Sequence, residues 1–328
     1  MKYPRIIFLV IIATCWGCSN NSYTNKKVTL MLSWLPGAEH AFIYRALDHG
    51  YFKQDSIQIT IEPSRGSKDV ATALDLGTAN FGLISGDYLV LARHKGIPIK
   101  GLLTLYHESP ATIMFFDSLQ IKSPFDLINK KVGVLKQSTT YPQFHAMLQK
   151  AGVSIDAVKE VTAVQGGTAQ LVNGEIDALM HYTNYAPVML RAKGYSIGEI
   201  LMKNNGIRIY STTLATTDEM ITNNPELVQK VVNIFLRSLR ESFQDFEGTL
   251  ASLLHYNPEL EENVQRMSLQ RTNELILDEK TNQYGVGYML REDWEATQNT
   301  LLECKQIQNK IDPRFFYDDH FIKKAKLQ

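Results

Sequence analysis

The chain has 328 residues, 44% of them hydrophobic and 21% charged, with 34 Lys and Arg balancing 34 Asp and Glu. That length is enough for a large core and favours two lobes over one, and the composition is that of an ordinary soluble globular protein. Zero formal charge, with no basic stripe interleaved with aromatic residues, excludes a nucleic-acid surface.

The first residues differ from the rest. Lys2 and Arg5 precede an apolar run over residues 6–13, followed by Thr14-Cys15-Trp16-Gly17-Cys18. A basic start, a short apolar stretch and small residues predict an export signal. The run falls short of the roughly 20 apolar residues that span a bilayer. Gly17-Cys18 followed by Ser19-Asn20-Asn21-Ser22 resembles a bacterial lipobox and its polar tether, although Cys15 stands where Leu is usual. The resemblance implies that Cys18 is diacylated and becomes the N-terminus of an exported, membrane-anchored lipoprotein; an ordinary cleaved signal is the alternative. Loss of the leader removes two basic side chains and no acid, so the remainder stays nearly neutral. Cys304 is then alone in a helix-like stretch, with no disulfide framework or metal-ligand pair available to it. No metal or cofactor is expected.

From residue 27 strands and helices alternate. Residues 28–34 predict a buried strand, 38–49 a helix, 57–62 a strand, 68–76 a helix, 80–85 a strand, 87–95 a helix and 97–106 an extended run. A second unit begins near Asp117. Ser123-Pro124 has the form of a helix start, with Ser as cap and Pro in the first turn. Strands are predicted at 131–135, 158–163 and 176–181, with helices at 140–151, 168–173 and 186–192. Residues 206–215 form a long extended run that carries the chain back. Beyond Thr216 the pattern becomes helical, over 225–243, 249–255, 259–271 and 291–308, with Asn224 as the expected cap of the first and Pro225 in its first turn.

An α/β unit, an inserted α/β unit and a helical tail predict two lobes. Residues 1–26 are signal and tether, 27–116 plus 214–328 form lobe 1, and 117–213 form lobe 2. Crossovers are expected near Phe116-Asp117 and Tyr210 to Ala215. The cleft between hinged lobes is the expected site, because lobes that close on a solute bury it.

Several segments carry a family resemblance. Val28-Thr29-Leu30-Met31-Leu32-Ser33-Trp34-Leu35-Pro36, then Glu39-His40 and Gly50-Tyr51-Phe52, resemble the opening of thiamine-precursor-binding proteins of ABC transporters. The wider group includes binders of alkanesulfonates, taurine and riboflavin. Residues 73–82, with Gly77 and Asn80-Phe81-Gly82, and the stretch Gly174-Glu175-Ile176-Asp177-Ala178 are similar to signatures of its two lobes. The resemblance covers roughly residues 27–233. It implies the two-lobe type II periplasmic-binding-protein fold, α/β with a helical C-terminal part, and an ABC permease as partner. Ser33, Gly37 and Ala186 depart from the thiamine-precursor pattern, which usually has Asp, Asn and Glu there. A related enzyme makes the pyrimidine with a cysteine-rich iron motif; this chain has no such cluster.

The candidate binding residues follow strand ends, where doubly wound sheets present ligand groups. Trp34 is the candidate for stacking on a flat heterocycle, with Tyr182 as the opposing ring. Glu39 and His40 open the next helix. Ser67, preceded by Gly66, and the loop Ser85-Gly86-Asp87 offer helix-start amides and room for close backbone approach. Gln137 and Ser138, before Thr139, are their counterparts in lobe 2, with Asn184 beside Tyr182; His181 is read as a structural neighbour. For each residue the alternative is ordinary packing or turn chemistry. No nucleophile elbow, phosphate-binding loop or paired-histidine zinc helix occurs, so no catalytic residue is assigned and no enzymatic activity is expected. The function expected is capture of a small heterocycle, such as a thiamine pyrimidine precursor, for an ABC importer. Alternatives are a riboflavin-type binder, a sulfonate- or taurine-type binder using Arg65 or Arg208, and a pyrimidine-synthesising enzyme.

Overall fold

The computed structural model describes residues 26–136, 138 and 140–326. The expected leader, the expected lipid site Cys18, and Gln137 lie outside the described residues. Ten strands are described: β1 (Lys26–Met31), β2 (Ile57–Glu62), β3 (Phe81–Ile84), β4 (Ile99–Thr104), β5 (Ala111–Phe116), β6 (Lys131–Val134), β7 (Lys159–Thr162), β8 (Ala178–Tyr182), β9 (Ile197–Leu201) and β10 (Thr213–Thr217). They form two five-stranded sheets of order β2-β1-β3-β10-β4 and β7-β6-β8-β5-β9.

The sheets follow one plan. In each, three parallel strands at one side are joined by an antiparallel fourth strand that enters from the other lobe: β10 against β3 and β4, β5 against β8 and β9. The expectation that residues 111–116 belong to lobe 1 is therefore corrected. Ala111 to Phe116 pair along their length with Tyr182 to Ala178 and with Leu201 to Ile197, so the first crossover is residues 105–110, just before β5. The break is Ser109-Pro110 rather than Phe116-Asp117. The return crossover runs over residues 207–212, and only Thr213–Thr217 of the extended tail pairs as a strand.

Between the strands run α1 (Ala41–Asp48), α2 (Tyr51–Gln54), α3 (Ser67–Asp75) and α4 (Gly86–His94) in lobe 1, then α5 (Thr140–Lys150), α6 (Thr168–Val172) and α7 (Ala186–Ala192) in lobe 2. The remainder is helical: α8 (Asp218–Asn223), α9 (Pro225–Gln244), α10 (Phe246–Tyr256), α11 (Glu262–Ile276), α12 (Glu279–Tyr284), α13 (Arg291–Glu303) and α14 (His320–Lys326). No helix among the described residues is long and apolar enough to cross a membrane.

Helices cover both faces of the lobe 1 sheet, and strand alternation shows it. β3 is buried throughout; Phe81 and Leu83 point to one core and Ile84 to the other. The first core is closed by α9, whose Val228, Val231, Val232, Phe235 and Leu239 recur at helical spacing and pack on Leu30, Leu83, Leu103 and Leu214. Pro225 occupies the first turn of α9, but Asn224 makes no side-chain cap hydrogen bond; the expected cap is corrected. Its φ of −136° and ψ of 47° place it where the preceding helix ends as α9 begins. Ser123 does form its capping box, with Asp126, on a short turn of 3-10 helix. The helical part also straddles the lobes, with α11 against α7 and α13 against both α4 and α5.

Candidate ligand-binding cleft

The parallel strands of both sheets end on one cleft with an interior volume of about 150 Å³. The residues following β1, β2, β3, β6 and β8 line it. From lobe 1 come Trp34, Glu39, His40, Gly66, Ser67 and Ser85; from lobe 2 come Ser138, Tyr182 and Asn184. The structure brings these sequence-predicted residues together around one cleft. Gly86 and Asp87 do not line the cleft, and that part of the expectation is corrected. A Cβ on Gly86 would stand 2.7 Å from Tyr210 Cβ, so this glycine permits close packing of α4 on the return crossover. Asp87 turns away and accepts from Gln143 Nε2 at 2.9 Å, across the lobe boundary. Gln143 in turn accepts from Ser109 in the first crossover. Burial pushes the Asp87 carboxyl up to about 6, against the lowering effect of its hydrogen bonds.

Trp34 lies three residues beyond the end of β1, and its side chain is 36% exposed. Beneath it is Gly66, whose φ of 125° belongs to glycine and whose missing Cβ would stand 3.7 Å from the indole. A Trp outside the core, with its indole this close to a glycine, has a ring available for stacking on a flat solute. Across the cleft, Tyr182 directs its hydroxyl to Ser211 Oγ at 3.1 Å. The more exposed ring is Tyr185, at 37%, stacked on His181 with centroids 5.4 Å apart and planes 20° apart. Burial holds the His181 pKa down at about 4, and the Tyr182 N–H donates to its Nδ1. The neutral ring therefore carries its proton on Nε2. His181 and Tyr185 thus also belong to the lining, although the sequence reading did not name them as binding residues; the signal for both was their place at the end of β8.

The polar wall is built around Glu39. Ser33 Oγ donates to Glu39 Oε1 at 2.8 Å and Thr212 Oγ1 donates to the same oxygen at 3.0 Å. Ser33 has one proton, so His40 Nε2, 2.8 Å from Ser33 Oγ, is the donor in that contact. Burial lowers the His40 pKa, opposed by Glu39, and His40 Nδ1 has no hydrogen-bond partner. A nucleophile–base pair needs its orienting acceptor on the far ring nitrogen. Here the carboxylate approaches the same Nε2, at 3.8 Å. The arrangement fixes a carboxylate; it does not activate Ser33.

Asn184 is fixed as firmly. Its Nδ2 donates to Tyr106 OH at 3.2 Å and to Thr272 Oγ1 of α11 at 3.0 Å, leaving Oδ1 buried without a partner. Burial and the nearby Glu39 both raise the pKa of Tyr106. Ser268 of α11 also lines the cleft, contributed by packing far along the chain. Arg65 reaches the rim, whereas Arg208 lies outside the lining and pairs with Asp293. Among the described residues no cluster of His, Cys, Asp and Glu is arranged to hold a metal.

Two sheets that exchange antiparallel strands and share a cleft at their carboxyl edges define a two-lobe protein of the periplasmic-binding-protein fold. The aliphatic sulphonate binding protein SsuA of Escherichia coli shares this fold with a TM-score of 0.69 at 14% identity, over 90% of this chain and 92% of that one. The chain belongs to the NMT1/THI5-like family, whose pattern matches residues 37–247. It is 25% identical to the riboflavin-binding protein RibY of Chloroflexus aurantiacus, over 92% of this chain and 88% of that protein. It is also 25% identical to the formylaminopyrimidine-binding protein of Halalkalibacterium halodurans, over 67% and 68%. A 4-amino-5-hydroxymethyl-2-methylpyrimidine phosphate synthase of Legionella pneumophila is 22% identical, over 92% and 94%.

Proposed function

We propose that the chain is an exported solute-binding protein of an ABC importer, which closes its lobes on a small flat heterocycle and presents it to a permease. The single observation that carries this reading is Trp34, a large ring held out of the core against Gly66 in a cleft between two lobes. A thiamine pyrimidine precursor is the first solute, supported by the formylaminopyrimidine-binding relative. Riboflavin is the second, supported by a relative that covers most of the chain. A sulfonate is less well supported, because the likeness to SsuA is one of fold and a carboxylate occupies the polar wall. Calorimetric titration with these compounds tests the reading, alongside a product assay under multiple-turnover conditions. Saturable binding of a heterocycle without product is expected; repeated turnover would make the chain an enzyme of its family.

We also propose that Cys18 carries a lipid that holds the protein at the membrane, on the strength of the lipobox resemblance. The mature protein is then expected to partition into detergent, and Cys18→Ser to leave it in the aqueous phase. Equal partitioning of the two would remove the anchor.

A further inference from the structure

The solute-binding reading leaves open which edge of a heterocycle the cleft accepts, and the polar wall answers that. Glu39 Oε1 takes the protons of both Ser33 and Thr212. Glu39 Oε2 accepts no hydrogen bond among the described residues, while the side chain keeps 15% of its surface exposed. A carboxylate oxygen held in a cleft accepts and never donates. Asn184 is not available in the same way: both protons of its amide nitrogen are engaged by hydroxyls and its Oδ1 is buried away from the cleft surface. Both groups flank Tyr106, since Asn184 donates to its hydroxyl and Glu39 raises its pKa. A carboxylate oxygen without a protein donor at the cleft is the group that a solute N–H can satisfy.

Resting on the solute-binding reading, we propose that the cleft selects its solute by hydrogen-bond donors, with an N–H group on one edge of the heterocycle meeting Glu39 Oε2, and that it rejects an anion on that edge. Amino-substituted pyrimidines and ring imides meet this requirement; sulfonates and carboxylates do not. The Ser33 and Thr212 hydroxyls make Glu39→Gln a decisive variant. They hold the amide oxygen where Oε1 now sits, which turns the amide nitrogen toward the solute and replaces an acceptor with a donor.

The experiment uses two matched pairs of flat probes and calorimetry. One pair is 4-amino-5-hydroxymethyl-2-methylpyrimidine and the same pyrimidine lacking its amino group; the other is riboflavin and riboflavin methylated at its imide nitrogen. The wild-type protein is expected to prefer the N–H-bearing member of the pair it binds by about 10- to 100-fold, the range of a hydrogen bond to a charged group. Glu39→Gln is expected to abolish or reverse that preference. Equal binding of both members by the wild-type protein, or an unchanged preference in the variant, would overturn the donor rule and leave the heterocycle reading standing. Binding of taurine or an alkanesulfonate, with neither heterocycle pair bound, would overturn the reading and the rule together.

Discussion

Asp87 shows how a residue near the cleft can serve the lobe boundary instead. Its carboxylate is buried, takes the Gln143 amide from the other lobe, and has its pKa raised to about 6 from an ordinary 3.8. Between those values the folded chain keeps a proton that the unfolded chain has lost. Its contribution to stability is therefore present below about pH 4 and is lost as pH rises through about 6. Asp87→Asn removes the titration. Urea unfolding of both proteins is expected to show the wild type gaining on the variant by about 2 kcal/mol between pH 6.5 and pH 4; a difference independent of pH would contradict it. Part of the lining was legible in the sequence because it follows strand ends: Trp34, Glu39, His40, Ser67, Ser85, Ser138, Tyr182 and Asn184 are all in the cleft. Asp87 misled because a helix-start residue two places from the lining can turn either way. Ser268 was illegible, since only the long-range packing of α11 brings it to the site.

Elements with strong periodicity were read closely, and α9 is the clearest. Its apolar residues recur every three or four places, and Pro225 marks its start. Phe235 is 1% exposed and meets Phe42 edge-to-face with centroids 5.4 Å apart. Phe235→Ala removes this contact and opens a cavity between α9 and the lobe 1 sheet, at an expected cost of about 3–5 kcal/mol in chemical denaturation. A cost below about 1 kcal/mol would mean that the helix shifts to refill the space. The strands that escaped notice were β5 and β9, which pair with each other in the lobe 2 sheet. Each is short and apolar, and local sequence does not say which sheet such a run joins. Pairing with residues 178–182 decides it for β5.

At the scale of the molecule, the repeated strand order places two crossovers, residues 105–110 and 207–212, between the lobes. Ser109, Tyr106 and Ser211 in those crossovers are bonded to Gln143, Asn184 and Tyr182 of lobe 2, so the hinge and the cleft share side chains. A solute that fills the cleft is expected to draw the lobes together. Small-angle scattering should then give a smaller radius of gyration with a saturating, calorimetrically confirmed solute than without it. Superimposable curves would show a rigid, preformed site.

Stacking of Trp34 on the solute is expected to be reported directly by its own fluorescence. Of the three tryptophans, Trp16 lies in the expected leader and Trp294 is fully buried in the lobe 1 core, so in the chain without its leader a change on binding in the cleft belongs to Trp34. Titration with the bound heterocycle is expected to quench the emission, and Trp34→Phe to bind with the quench gone. Trp34→Ala, at a position already 36% exposed, is expected to stay folded and to lose about 2–4 kcal/mol of binding free energy. Unchanged affinity in Trp34→Ala, or loss of its fold, would contradict the account.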